Sequence, residues 1–156
     1  MTDAPAELCN CTALRQTARH VTRLYDDALE PVGIGVNQYA VLSRLDKFGP
    51  TAIQPLAQAL VMDRSTLGHL VRPLEQRRLV SLTVSEQDRR SRLLVLTAEG
   101  RALLARARPL WAEAQSRFET TFGAAVASDL RSVLKRVASV DFKTKAARHA
   151  RQGAGS

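Results

Sequence analysis

Residues 56–97 read LAQALVMDRSTLGHLVRPLEQRRLVSLTVSEQDRRSRLLVLT. Leu56, Ala57 and Leu60 fall on one helical face, Val61-Met62-Asp63 breaks the pattern, and Arg64-Ser65-Thr66 opens a second helix with Asp63 placed to accept from its first free amides. In that second helix Leu67, Leu70, Val71 and Leu74 recur at i, i+3, i+4, i+7 and predict the buried face. The opposite face carries Arg64, Ser65, His69 and Arg72. Residues 79–85 and 91–96 then alternate or run apolar around Glu86-Gln87-Asp88-Arg89-Arg90, which predicts a β-hairpin with a charged tip. Two short helices followed by a hairpin make a winged helix-turn-helix.

This arrangement has a chemical consequence. A helix fits the major groove of B-DNA, where Arg pairs bidentately with guanine and hydroxyls donate or accept, so Arg64, Ser65, Thr66 and His69 are the base-contact candidates, with Arg72 beside them. An Arg at a hairpin tip can enter the electronegative minor groove, the role expected of Arg90, while Arg89 and Arg92 neutralise phosphates. Taken alone, such a tip reads first as a solvated, charge-rich turn; beside a helix-turn-helix pattern the DNA-contact reading takes precedence.

The run Leu56-Ala57, Met62-Asp63-Arg64-Ser65-Thr66-Leu67, Arg72-Pro73-Leu74-Glu75, Leu79-Val80, Asp88-Arg89-Arg90 and Leu96-Thr97-Ala98-Glu99-Gly100 resembles the MarR family of bacterial transcription regulators. The resemblance extends from about Leu8 to Val140, and the Asp-x-Arg at Asp88 and Arg90 is its most specific part. It implies a homodimer on a palindromic operator in double-stranded DNA, with the second helix in the major groove and the wing Arg in the minor groove. It also implies a signal that releases DNA, and an Asp88 that holds the wing Arg by a salt bridge. Many members have Gly where this chain has Val61 and Arg78. A non-glycine residue at positive φ costs roughly 1 kcal/mol, which predicts helix ends built differently here.

Outside that run the chain is amphipathic and helical. Cys11, Leu14, Ala18, Val21, Tyr25 and Ala28 step by threes and fours along one helix, which Pro31 and Gly33 end. Tyr39, Leu42 and Leu45 mark a helix capped by Gly35 or Asn37, and Thr51 with Gln54 suggests a capping box for the next. From Ala98, Leu104, Ala107, Trp111, Ala114 and Phe118 form another stripe, with a kink or restart expected at Pro109; Val126, Leu130, Val133, Val137 and Val140 form the last. Apolar stripes at both ends of a small chain need cover, and a symmetric partner supplies it. The expected organisation is therefore mainly α with a small β-hairpin wing: dimerisation helices at 1–34 and 98–145, a winged helix-turn-helix at 35–97, and a basic flexible tail at 146–156.

Composition fits this picture. The chain has 156 residues, a size for one domain, and a net charge of +8; its isoelectric point near 10.5 favours a polyanionic partner. Charge is concentrated at two places: residues 62–92 hold seven Arg against four acids, and residues 131–151 hold seven Lys or Arg against one Asp. The second cluster is either a source of phosphate contacts or a soluble chain end. No apolar run reaches membrane-spanning length, and MTDAPAELCN lacks the basic start and apolar stretch of a signal peptide, so a cytoplasmic protein with no membrane partner is expected. His20, His69 and His149 are scattered without metal-ligand spacing, no phosphate loop or nucleophile elbow occurs, and no catalytic set, metal or cofactor is expected.

Two routes to a signal remain open. Resemblance to family members that bind aromatic or phenolic acids between dimer helices and winged helix points to Arg15, Arg19, His20, Tyr39 and Trp111, where Arg forks a carboxylate and rings wall an aromatic. Arg15 and Arg19 equally describe a solvated face, and Trp111 a core stripe. Peroxide-sensing members carry a reactive cysteine near the start of the first helix, the general position of Cys9 and Cys11. The plain alternative is a buried small hydrophobe at Cys11 and an incidental thiol at Cys9. A further alternative is a winged helix used for protein contacts without specific DNA binding.

Overall fold

The computed structural model describes residues 9–142, so the basic tail at 146–156, His149 and the first eight residues lie outside the described part. The chain is mostly helical with one small antiparallel sheet, as expected. Helix α1 spans Asn10–Leu29 and α2 Val36–Phe48, separated by a 3-10 turn at Glu30–Val32. Strand β1 (Thr51–Ala52), α3 (Ile53–Ala59), α4 (Arg64–Gln76), β2 (Val80–Val84) and β3 (Arg92–Leu96) follow, then α5 (Ala98–Phe122) and α6 (Ala124–Ser139). The contacts divide into two compact units between Arg117 and Phe118.

In the first unit the core gathers one face of every element. Leu29 of α1, Val41, Leu42 and Leu45 of α2, Leu56 of α3, Leu67 and Leu74 of α4, Leu94 of β3 and Leu104 of α5 are all buried. Each follows the periodicity its element requires, three and four in helices and two in strands. The sheet order is β1-β3-β2, with Leu82 opposite Leu94 and Val80 opposite Leu96.

Polar links fix the helices to one another. Asp26 of α1 accepts from the Val36 N–H at 2.7 Å, and the Gly35 N–H donates to Gln38 Oε1, so two first-turn amides of α2 are satisfied and Gly35 is the cap. Asp46 of α2 accepts from Arg101 at 3.0 Å and from Arg108 of α5. Tyr25 donates to Gln115 at 2.6 Å, joining α1 to α5.

Four sequence expectations are corrected. The Thr51–Gln54 capping box does not form: Thr51 and Ala52 pair with Leu94 and Leu93 as a third strand, Thr51 Oγ1 donates to the Gly49 carbonyl, and α3 starts after an uncapped Ala52. A two-residue strand is too short to show alternation. No restart occurs at Pro109, because α5 is continuous across it. The carbonyl that Pro109 leaves without a helical donor belongs to exposed Ala105, where water can serve it.

Val61 and Arg78 adopt the left-handed conformation after all, with φ of 54° and 57°. The Met62 N–H reaches the Ala57 carbonyl and the Leu79 N–H the Leu74 carbonyl, both at 2.9 Å, so each helix end closes by the six-residue bond that usually recruits glycine. Cys11, finally, is exposed rather than buried. All of α1 from Asn10 to His20 is exposed in this single chain.

In the second unit, Ala127 is buried while Val126, Leu130, Val133, Leu134 and Val137 of α6 are exposed. Among the described residues no helix is long and apolar enough to cross a membrane, and no three His, Cys, Asp or Glu side chains gather as a metal site.

Candidate nucleic-acid interface

Helix α4 begins at a well-made cap. Asp63 Oδ1 accepts the Thr66 N–H at 2.7 Å and Oδ2 the Thr66 hydroxyl at 2.8 Å. These hydrogen bonds, the backbone one first, hold the Asp63 carboxyl below its usual range, since they stabilise the charged form. Thr66 thereby uses its hydroxyl hydrogen inside the cap. Leu67, Val71 and Leu74 anchor the helix below, leaving Arg64, Ser65, His69 and Arg72 exposed on the outer face. Pro73 sits inside α4 without breaking it, because the carbonyl it deprives, that of His69, lies on the same exposed side.

The hairpin presents a second cationic point. Buried Ser85 closes the loop, its N–H donating to the Ser91 carbonyl at 2.9 Å and its Oγ accepting from the Asp88 N–H at 3.3 Å. The Asp88 carbonyl accepts from Ser91, and its carboxylate accepts the backbone N–H of Arg90 at 3.0 Å. The expected salt bridge from Asp88 to the Arg90 guanidinium is therefore corrected: Asp88 shapes the turn through the main chain. Arg89, Arg90 and Arg92 project exposed from the tip and the first residue of β3.

The remaining conspicuous residues of this region are structural. Arg77 donates to the carbonyls of Gly33 and Val32, tying the end of α4 to the α1–α2 junction. Thr97 Oγ1 contacts the carbonyls of Arg78 at 2.7 Å and Leu79 at 3.0 Å and accepts the Gly100 N–H, so one hydroxyl caps α5 and fastens it to the turn after α4. At Gly100 a side chain would meet the Leu79 carbonyl at 2.0 Å, which leaves room for hydrogen alone. Thr97 and Gly100 were visible as a motif; their shared attachment to residues 78 and 79 was not.

A separate groove of about 400 Å³ opens along α2, bounded by Tyr39, Ser43, Arg44, Lys47, Phe48 and Trp111. Tyr39 and Trp111 stack at 5.7 Å and 11°, and Arg44 lies over the Phe48 ring at 4.6 Å. Burial pushes the Tyr39 hydroxyl pKa up, keeping the phenol neutral. The groove brings together Tyr39 and Trp111 but not Arg15, Arg19 or His20, which stand exposed on α1. Its cations, Arg44 and Lys47, escaped the sequence reading, although they follow Ala40 and Ser43 at helical steps. At the start of α1, Cys9 occupies the cap position and is exposed; hydrogen bonding to Thr12 lowers its thiol pKa.

Residues 34–91 match the MarR family. The organic hydroperoxide resistance transcriptional regulator of Bacillus subtilis is 30% identical over 93 residues, covering 60% of this chain and 63% of its own. The transcriptional activatory protein BadR of Rhodopseudomonas palustris is 34% identical over 106 residues, covering 64% and 59%. This chain thus spans about three fifths of the length of these curated relatives. Among solved structures, the transcriptional repressor CouR bound to a 23-mer DNA duplex superposes with a TM-score of 0.78 at 29% identity, over 88% of this chain and 98% of that one. CouR from Rhodococcus jostii RHA1 bound to p-coumaroyl-CoA gives 0.73 at 28%, over 89% and 99%. The matched residues 34–91 hold the helix-turn-helix and the tip of the wing, and in that region the chain is similar to the MarR family of transcriptional regulators.

Proposed function

We propose that this chain is a dimeric, sequence-specific DNA-binding transcriptional regulator, a repressor released by a small aromatic carboxylate, acting in the cytoplasm by binding and not by catalysis. The observation that carries this reading is the outer face of α4, where Arg64, Ser65, His69 and Arg72 stand exposed on a helix held from below by three buried side chains. Such a face suits the major groove, and Arg90 with Arg89 and Arg92 suits the flanking minor groove and phosphates. Its polarity disfavours a winged helix used for protein contacts alone. The apolar stripes of α1 and α6, open in a single chain, support a symmetric second copy. Two such copies read a palindrome when their α4 helices stand roughly 34 Å apart.

The groove beside Tyr39 and Trp111 supports an aromatic acid as effector, its ring against the aromatic wall and its carboxylate on Arg44 or Lys47. The carboxylate partner proposed here is therefore on α2, not Arg15 or Arg19. Gel-shift binding to the DNA immediately upstream of the coding region tests the reading. Tight, salt-sensitive binding should be lost in an Arg64→Ala, Arg90→Ala variant, and an aromatic acid should release the wild type but not Arg44→Ala. Uniform weak binding to all duplexes would favour the protein-contact alternative.

A second reading has its own support. Cys9 is exposed at a helix start with its thiol pKa lowered, a shift that favours the thiolate, the form that attacks peroxides. Release of DNA by an organic hydroperoxide, abolished when Cys9 and Cys11 are both replaced by Ser, would establish it. Release that persists in that variant removes it.

A further inference from the structure

Gly68 lies inside α4, fully in the helix and exposed. Glycine is a poor choice at such a position, since it loses more backbone freedom on folding than any other residue and weakens the helix relative to alanine. Nothing among the described residues requires it. Beyond its two chain neighbours and the backbone of its own helical turns, a methyl group added at its Cα would meet no atom within 4 Å, so neither packing nor a close crossing excludes a side chain. At 3.6 residues per turn, Arg64, Ser65, Gly68, His69 and Arg72 share an arc of about 140°, and Gly68 falls within it, not at its edge. The outer face of α4 therefore has a notch one methyl deep, ringed by Arg, Ser and His.

The notch has a definite chemistry. Backbone N–H and C=O groups in the middle of a helix are engaged with their own turns, so the bare backbone at Gly68 offers a ligand neither donor nor acceptor. Only an apolar group gains by entering. In the major groove the one apolar group on a base edge is the 5-methyl of thymine, whereas the surrounding Arg64, Ser65, His69 and Arg72 suit donors and acceptors. We propose that Gly68 is a specificity-determining residue whose bare backbone seats a thymine methyl when α4 lies in the major groove; this rests on the DNA-binding reading above.

The experiment uses the full chain and a duplex that the wild type selects from a random-sequence library. Gly68→Ala should melt about 2–4 °C higher than wild type, because the helix gains a better former. It should nonetheless bind the selected duplex roughly tenfold more weakly. Replacing each thymidine in turn by deoxyuridine, which removes only the methyl, should weaken wild-type binding about fourfold at one position of each half-site. At that same position Gly68→Ala should lose nothing further. A Gly68→Ala protein that binds as tightly as wild type, or a duplex in which no thymine methyl matters, overturns the inference while leaving the regulator reading intact. Failure of the wild type to select any duplex overturns the reading itself.

Discussion

Helices α4 and α6 are both amphipathic, and both turn one face outward, but the outward faces are opposites. That of α4 carries Arg64, Ser65, His69 and Arg72; that of α6 carries Val126, Leu130, Val133 and Val137, with Val126 57% exposed. The first is a finished surface in water, and its charge favours a polyanion. The second keeps apolar area in contact with solvent until another surface covers it. One chain thus carries a cationic face and an apolar face, and under the function proposed above the first meets nucleic acid and the second another copy of the chain. On that proposal, breaking the second face should damage the function of the first.

The largest effect is expected there. Replacing Val133 and Val137 by Glu keeps good helix formers at exposed positions while placing charge on the stripe. Sedimentation equilibrium should show monomers, and binding to a palindromic duplex should fall by roughly 100-fold as two linked half-site contacts become one. A variant that remains dimeric would show that α6 serves another purpose. Next in size, Arg90→Ala should weaken binding about tenfold and lower the salt slope by about 1, with no change in melting temperature, because its guanidinium makes no ion pair among the described residues. An unchanged affinity would mean that the wing tip stays clear of DNA.

The same contrast explains what could be read from the sequence. The inner face of α4 was legible because Leu67, Val71 and Leu74 obey a period that burial enforces, and the cap at Asp63 was legible because the acceptor and its amide are three residues apart. The stripes of α1 and α6 were legible as patterns, yet their exposure in a single chain is a fact about what covers them, and local spacing holds no such information. Contacts between distant segments were missed for the same reason: the pairing of Thr51 with Leu94, the reach of Arg77 to Gly33, and the grouping of Arg44 with Trp111. The Asp88 turn was misassigned because a carboxylate two residues before an Arg can hold either its side chain or its amide, and here it holds the amide.

A smaller effect distinguishes the start of α4 by pH. The Asp63 carboxyl has a lowered pKa in the folded chain, so folding favours its ionised form; the stabilisation is complete above the ordinary carboxylate pKa of about 4 and is lost as pH falls through the folded value. Asp63→Asn keeps an acceptor for the Thr66 amide but cannot titrate. Its melting temperature should therefore fall less steeply than that of wild type between about pH 5 and pH 2. Parallel curves would mean that the cap contributes through geometry alone.

The ends of the two helices give the smallest and most specific contrast. Helix α6 follows Gly123 at φ 84°, a conformation natural to glycine, whereas α4 is bracketed by Val61 at φ 54° and Arg78 at φ 57°. An L-residue in the left-handed region costs roughly 1–2 kcal/mol, while glycine adds roughly 0.4–1 kcal/mol of unfolded-state entropy that folding must overcome. The first figure exceeds the second, so glycine should win at both sites. Val61 is the better test, because its side chain is 74% exposed and its removal forfeits little burial, and because its branched Cβ makes positive φ worse. Val61→Gly should raise stability by about 0.5–1 kcal/mol in denaturant melts, with Arg78→Gly gaining less, since its carbonyl is already held in place by Thr97. A loss of stability at Val61 would mean that the tight break before α4 is stiffened by its valine, and that α4 is positioned by a rigid turn and not a strained one.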